Sequence, residues 1–279
     1  MAILGNMTII SLVYLVPQLH TPMYFYLGNL SVQDILYVSA ILPKLMSITI
    51  TGDSSISYQA CTAQLFVFVF CVCTEFMLLT SMAYDRYLAI CVPLHYSQIM
   101  NKNLCIILAA VSWFIGILKS LLYTLLMSQL LFCHSREINH FFCDVKTLLK
   151  LSCNDLTNVK TIISVDGVFL GFLPFTLITT SYAFIVSTVL KIQTTLGRLK
   201  VFSSCFSHLT VVILFFGTAI SLYLKPESKN SQENDKLLSL LYVALVPMLN
   251  PLVYSLKNKQ VSLAFKKIAK KFNIRFKRT

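Results

Sequence analysis

Two carboxylates stand inside stretches that hold almost no other charge. Asp34 lies in the apolar run 23–49 and Glu75 in the run 58–90, at similar depth. A charge at the centre of a bilayer costs about 2.5–3.5 kcal/mol on insertion scales, so each is a functional candidate by default. Asn6 in run 2–16 and Asn250 in run 236–256 add amides that could join them. Facing inward, the four could form one polar network holding a cation such as sodium, or a proton, between two carboxylates. The alternative is a hydrogen-bonded structural network with one carboxylate protonated. Neither is a catalytic dyad. Lys119 in run 104–127 and Asp166 in run 161–190 form a second pair. Lys119 could snorkel to the headgroups while Asp166 sits at a helix end, or the two could face each other beside a ligand cavity. A third group, Asp85-Arg86-Tyr87, ends the run 58–90. Arg86 can pair with Asp85 while a helix bundle is closed and reach a partner once it opens.

These residues need elements to position them, and composition says which. Of 279 residues, 56% are hydrophobic and 12% charged, with mean hydropathy +0.73. A soluble domain carries about a quarter charged residues, so a soluble enzyme, a disordered chain and a disulfide-stapled miniprotein are poor readings. A membrane-crossing helix needs roughly 20 apolar residues. The runs 2–16, 23–49, 58–90, 104–127, 161–190, 201–224 and 236–256 make seven such segments. Helix is expected, because lipid offers no partner to an open backbone and no barrel alternation is present.

The connections set the direction. Loop 191–200 carries Lys191, Arg198 and Lys200 without an acid, whereas 51–57 carries Asp53 without a base. Residues 257–279 hold nine of the 23 Lys and Arg and no acid, leaving 14 basic against 11 acidic residues elsewhere. The net charge of +12 is therefore a cytoplasmic, lipid-facing end rather than a nucleic-acid surface. The N-terminus is expected outside and the C-terminus inside. The expected fold is an all-α seven-transmembrane bundle over 1–256, followed by a basic amphipathic eighth helix and tail over 257–279. Val261, Phe265, Ile268, Phe272 and Phe276 form the apolar stripe of that helix. The run Ala2–Val16 rises only ~22 Å against a ~30 Å hydrocarbon core, and reads as a first helix missing its outer end.

Four cysteines lie where an oxidising compartment could use them: Cys61 at the start of run 58–90, and Cys133, Cys143 and Cys153 in loop 128–160. They allow three pairings, and spacing does not choose between them. A metal site with His134 and His140 is the rival, although its spacing matches no zinc pattern. Pro247 and Pro251 predict a kink in run 236–256. No nucleophile motif, metal-ligand cluster or phosphate loop supports an enzyme.

Six stretches together carry a resemblance. They are Leu19–Leu27 (LHTPMYFYL), Met82–Cys91 (MAYDRYLAIC), His140–Asp144 (HFFCD), Lys150–Cys153 (KLSC), Ser207–Thr210 (SHLT) and Pro247–Asn258 (PMLNPLVYSLKN). In this order they resemble the olfactory receptors, a branch of the rhodopsin-like G-protein-coupled receptors. The resemblance implies a plasma-membrane receptor that binds a small volatile odorant and activates a stimulatory olfactory-type G protein, raising cyclic AMP. It implies disulfides Cys61–Cys143 and Cys133–Cys153. Asp85, Arg86 and Tyr87 become the activation lock and G-protein contact, with Tyr182, Asn250 and Tyr254 as switch residues. Asp34 and Glu75 become the cation site.

Counting from those motifs gives an odorant pocket of Phe68, Val69, Val72 and Cys73, then Asp166 and Leu170, Phe216, Ala219 and Tyr223, and Tyr242. The first and second groups share helix faces, and apolar walls with few polar groups suit a small hydrophobic ligand. Two features depart from the family pattern. Gly5-Asn6, mid-helix in the family, stand near the start, and Lys119 is a charge the pattern does not include, which points to a polar or acidic ligand or to a buried pair with Asp166. The formal sequons at Asn6 and Asn29 lie at membrane depth and are expected unmodified. The alternatives to a signalling receptor are a poorly trafficked, non-signalling form and a cation-coupled transporter.

Overall fold

An apolar segment in lipid must close its own backbone hydrogen bonds, and the long apolar runs of this chain do so as helices. The computed structural model describes residues 2–133, 137–223, 236, 238–240, 246–257 and 261–265. Its main elements are α1 (Ala2–Leu15), α2 (Pro22–Thr51), α3 (Tyr58–Cys91), α4 (Lys102–Ser128), α5 (Thr157–Leu190), α6 (Thr195–Tyr223) and α7 (Val246–Lys257). Among the described residues, α2 to α6 are the five helices long and apolar enough to cross a membrane. The only extended pairing among them is an isolated antiparallel bridge, Phe132 to Ser152.

Local chemistry sets the ends. Pro22 opens α2, where its missing N–H costs nothing. Gly52 ends it with φ 72°, a left-handed conformation that glycine adopts without a side-chain clash. Ser57 caps α3 by accepting from the Ala60 N–H at 3.2 Å, and Asn101 caps α4 by accepting from the Leu104 N–H at 3.0 Å. Within α5 the regular winding stops at Asp166, passes through a π-helical turn over Gly167–Phe172, and resumes at Leu173.

The helices close around α3. It packs against α2, α4 and α5 and touches α6, while α1 lies on α2 and α7, and α6 on α7. Within its most apolar stretch, 61% of α3 is buried, against 17% for α5, so α3 is the axial helix. Gly116 permits the α3–α4 approach, because a Cβ there would lie 2.9 Å from the Phe70 carbonyl oxygen and collide with Thr74. Trp113 Nε1 donates to Asn29 Oδ1 at 2.9 Å, joining α4 to α2. Phe114, Leu125, Phe169, Phe172 and Ile213 are exposed, an apolar girdle of the kind that faces lipid.

Hydropathy marked the apolar centres but not the full helices. Arg198 and Lys200, expected in a loop, lie in the first turns of α6, and α5 begins at Thr157 rather than 161. A helix continues past the apolar slab wherever its backbone bonds can, so charged turns extend both elements. The run 236–256 is described at 236, 238–240 and from Val246. Of the amphipathic stretch, 261–265 is helical, with Val261 and Ala264 buried and Phe265 exposed. Ile268, Phe272 and Phe276 lie outside the described residues.

Candidate functional site

The first cluster joins α2, α3 and α7. Asn250 Nδ2 donates to Asp34 Oδ2 at 2.9 Å, and Gln33 Nε2 donates to Glu75 Oε2 at 3.2 Å. All four side chains are buried, and the two carboxylates lie within electrostatic range of each other. Asn6 does not bond directly to them. Its Nδ2 donates to the Pro247 carbonyl at 3.2 Å. Pro251, four residues on, has no N–H to give that carbonyl, so α1 supplies the missing donor. Asp34 Oδ1, Glu75 Oε1 and Gln33 Oε1 have no hydrogen-bond partner among the described residues.

The second cluster closes the far end of α3. Asp85 is fully buried. Its Oδ2 accepts from Arg86 Nε at 3.0 Å and Nη2 at 2.5 Å, and its Oδ1 accepts from the Tyr96 hydroxyl at 2.7 Å. Burial, then the bond to Asp85, holds the Tyr96 phenol above its ordinary pKa, so it remains a donor. The Tyr87 ring lies 5.9 Å from Phe184 of α5. Nearby, the Tyr182 hydroxyl meets His208 Nδ1 at 2.7 Å, and His208 Nε2 meets the Leu79 carbonyl at 3.1 Å. A carbonyl only accepts, so the proton sits on Nε2 and, in the neutral ring, Nδ1 accepts from Tyr182. One histidine thus ties α5 and α6 to α3. Tyr254 is described by its backbone alone, within α7.

The third cluster lies toward the other end of α3, under loop 128–160. Cys61 is bonded to Cys143 and Cys133 to Cys153, with Cα separations of 5.5 and 6.1 Å. These bonds consume the thiols of the rival metal site, and His134 lies outside the described residues. The Cys143 N–H donates to Gln64 Oε1 at 3.0 Å, and Phe142 packs on Phe68 with ring centres 5.1 Å apart. The loop is therefore pinned over the bundle. Phe68, Val69, Cys73, Asp166 and Phe216 are buried, with Val72, Leu170 and Ala219 half-buried. Phe216 packs against Phe76 of α3 and Phe175 of α5, at 5.0 and 5.5 Å. Lys119 Nζ donates to Asp166 Oδ1 at 2.6 Å, with Cys73 and Tyr123 close by. Tyr223 is described by backbone only, and Tyr242 lies outside the described residues. An open apolar groove of about 480 Å³, lined by Tyr58, Gln59, Thr62, Ala63, Phe66, Val67 and Thr124, runs along the α3–α4 seam. It includes none of the expected pocket residues.

Three polar clusters thus lie along one axial helix, beneath a disulfide-pinned loop. The family model described as "Olfactory receptor" matches residues 1–271. The chain belongs to the olfactory receptor family. It is 47% identical to mouse olfactory receptor 1E16 over 95% of this chain and 85% of that one. It is also 47% identical to mouse olfactory receptor 2B6, over 96% of this chain and 86% of that protein. Human olfactory receptor 2B2 is 47% identical over 97% of this chain and 76% of its own length. Olfactory receptors are membrane-embedded G-protein-coupled receptors and not enzymes, which accords with the apolar helices and the disulfides.

Within this olfactory receptor, the sequence missed five polar residues that the geometry brings into the clusters: Gln33, Gln64, Tyr96, Tyr123 and His208. His208 lay inside the quoted SHLT stretch and Tyr96 just beyond MAYDRYLAIC, so position alone marked them. Gln33 had a signal too, a buried amide beside Asp34. Only the relative rotation of helices decides which partner each one meets.

Proposed function

We propose that this chain is an odorant receptor whose ligand, a small volatile molecule, binds in the outer half of the helix bundle and frees Arg86 for a stimulatory olfactory-type G protein, raising cyclic AMP. The observation that carries this reading is the Asp85 carboxylate, whose two oxygens are engaged by Arg86 and Tyr96. An arginine held this way is a latch. Ligand acts on it by binding the open bundle more tightly than the closed one.

In this reading residues 1–256 form seven spans with the N-terminus outside, and residues 257–279 lie on the cytoplasmic face of the plasma membrane. The basic excess of 191–200 and 257–279 supports that direction. Phe68, Val69, Val72, Cys73, Asp166, Leu170, Phe216, Ala219, Tyr223 and Tyr242 line the odorant pocket. Tyr182, Asn250 and Tyr254 carry the change inward, and the Tyr182–His208–Leu79 link supports that role by coupling three helices.

In this reading a sodium ion is held by Asp34 and Glu75. Hard cations take oxygen ligands, and Asp34 Oδ1, Glu75 Oε1 and Gln33 Oε1 are buried oxygens without a hydrogen-bond partner among the described residues. Bound there, the ion would supply the positive charge that two neighbouring carboxylates in a membrane require. The same geometry also favours a second reading, in which one carboxylate keeps a proton.

The test is a chemically varied odorant panel applied to cells expressing the chain. A dose-dependent rise in cyclic AMP, absent from untransfected cells, is expected. Agonist responses carried by another messenger, with cyclic AMP flat, would refute the coupling.

A further inference from the structure

The Lys119–Asp166 pair joins α4 to α5, but stability alone does not account for an ion pair there. Replacing a buried ion pair by well-packed apolar side chains is often neutral or stabilising, so such a pair is weak evidence for stability. Yet Asp166 is buried and Lys119 half-buried, with side-chain exposures of 8% and 24%. The pair sits where three helices meet: Cys73 of α3, Lys119 and Tyr123 of α4, and Asp166 of α5. Cys73 and Asp166 belong to the pocket proposed above, and the present inference rests on that reading.

The pair leaves hydrogen-bonding capacity unused. An ammonium has three N–H donors, and Lys119 makes one hydrogen bond among the described residues, to Asp166 Oδ1 at 2.6 Å. Asp166 Oδ2 is buried with no hydrogen-bond partner within 3.5 Å among them, although the Tyr123 side chain lies within reach of the carboxylate. A buried polar atom left this way costs free energy unless something completes it. Directly after Asp166, α5 is wound as a π-helix over Gly167–Phe172, a distortion that recurs at functional sites.

Charge decides the ligand class. Lys119 and Asp166 cancel, so the site offers an ionic ligand no net attraction. A carboxylate would approach Lys119 against the repulsion of Asp166, and an amine would approach Asp166 against Lys119. Either would bury a third charge at membrane depth. A neutral oxygen acceptor meets neither penalty. It can take a free N–H of Lys119 while the ion pair stays intact, and its carbon chain can lie on the apolar walls.

We infer that the Lys119–Asp166 pair is the polar anchor of the odorant pocket and selects neutral carbonyl compounds (ketones, aldehydes or esters) over hydrocarbons, acids and amines. Lys119 donates to the carbonyl oxygen, and Asp166 is a positioning residue that holds the ammonium in place.

The test compares cyclic AMP responses of cells to matched eight-carbon compounds, 2-octanone, octanal, octane, octanoic acid and octylamine, within a broader volatile panel. Agonists are expected among neutral carbonyl compounds, and removing the carbonyl oxygen should raise the half-maximal concentration by about 10- to 100-fold, as for a hydrogen bond to a charged group. Lys119→Met should erase that preference. Because it strands Asp166, the double variant Lys119→Met/Asp166→Leu serves as the folded control, expected at wild-type surface level and equally blind to the carbonyl. Acids or amines as the best agonists, or a carbonyl preference that survives in the double variant, would overturn the inference. Val72→Trp separates this from the pocket reading. If Val72→Trp silences every agonist while the double variant keeps the carbonyl preference, the pocket stands and the anchor fails. If Val72→Trp leaves all responses unchanged, the pocket reading itself fails.

Discussion

A buried carboxylate is tolerable only when its lone pairs are used, and Asp85 uses both oxygens on different partners. Arg86 is its neighbour in sequence, so that contact forms within α3, and the bond to the other oxygen is what ties the pair to the rest of the bundle. Tyr96 is different, because it reaches Asp85 from the short helix Tyr96–Ile99, beyond α3. That bond ties the connection between α3 and α4 to the latch. Tyr96→Phe removes one hydroxyl donor and leaves the ring. A hydrogen bond to a charged group contributes about 1.5–3 kcal/mol, so the closed state should weaken and basal cyclic AMP rise roughly tenfold, measured at equal surface expression. Unchanged basal activity would show that the bond persists in both states. The same logic makes His208 a coupling residue, since its two ring nitrogens serve two different helices.

At the scale of elements, α3 is the reference against which the others are placed, and the loop that covers it is attached covalently. The Cys61–Cys143 bond closes a separation of 82 residues, and Cys133–Cys153 closes 20. Chain-entropy arguments give the longer closure the larger stabilisation, and losing a native disulfide typically costs about 2–5 kcal/mol. Cys61→Ser and Cys143→Ser should each remove most receptor from the cell surface, with Cys133→Ser milder, as read by flow cytometry of an extracellular tag. Normal surface levels for both of the first two would contradict the pinned loop. The helices were largely legible in the sequence, because a bilayer demands long apolar runs and little else satisfies it. Their overhangs were not, since Arg198 and Lys200 are polar residues that a helix carries past the apolar slab as readily as a loop does. The polar partnerships were half legible. Asp34, Glu75 and Asn250 stood out as polar residues in apolar runs, but Asn6 went to the Pro247 carbonyl because Pro251 left it vacant. Gln33 took the place beside Glu75 instead. Such pairings depend on how each helix is rotated about its axis, which hydropathy leaves open.

For the molecule as a whole, the three clusters lie along α3 in an order that runs from the proposed ligand pocket to the proposed latch. Lys119 and Asp166 stand beside Cys73, Glu75 is two residues further on, and Asp85 ends the line. Movement of α5 and α6 at the pocket would therefore reach the latch through Phe216, Phe76 and the Tyr182–His208 link. The proposed cation site sits between, where a charge would bias the whole bundle. Replacing external sodium with a bulky organic cation should shift agonist potency in the wild type. Asp34→Asn should lose that sensitivity while still reaching the surface. Equal sodium sensitivity in both would favour a shared proton instead.

The most direct test of the central claim is nucleotide exchange on the stimulatory olfactory-type G protein by membranes from cells expressing wild type or Arg86→Ala, with an agonist taken from the odorant panel. Agonist should accelerate exchange with wild-type membranes and leave Arg86→Ala at the unstimulated rate, at matched receptor amounts and with agonist binding retained. Agonist-driven exchange of equal size in the two would contradict the account, because the latch would then be bypassed.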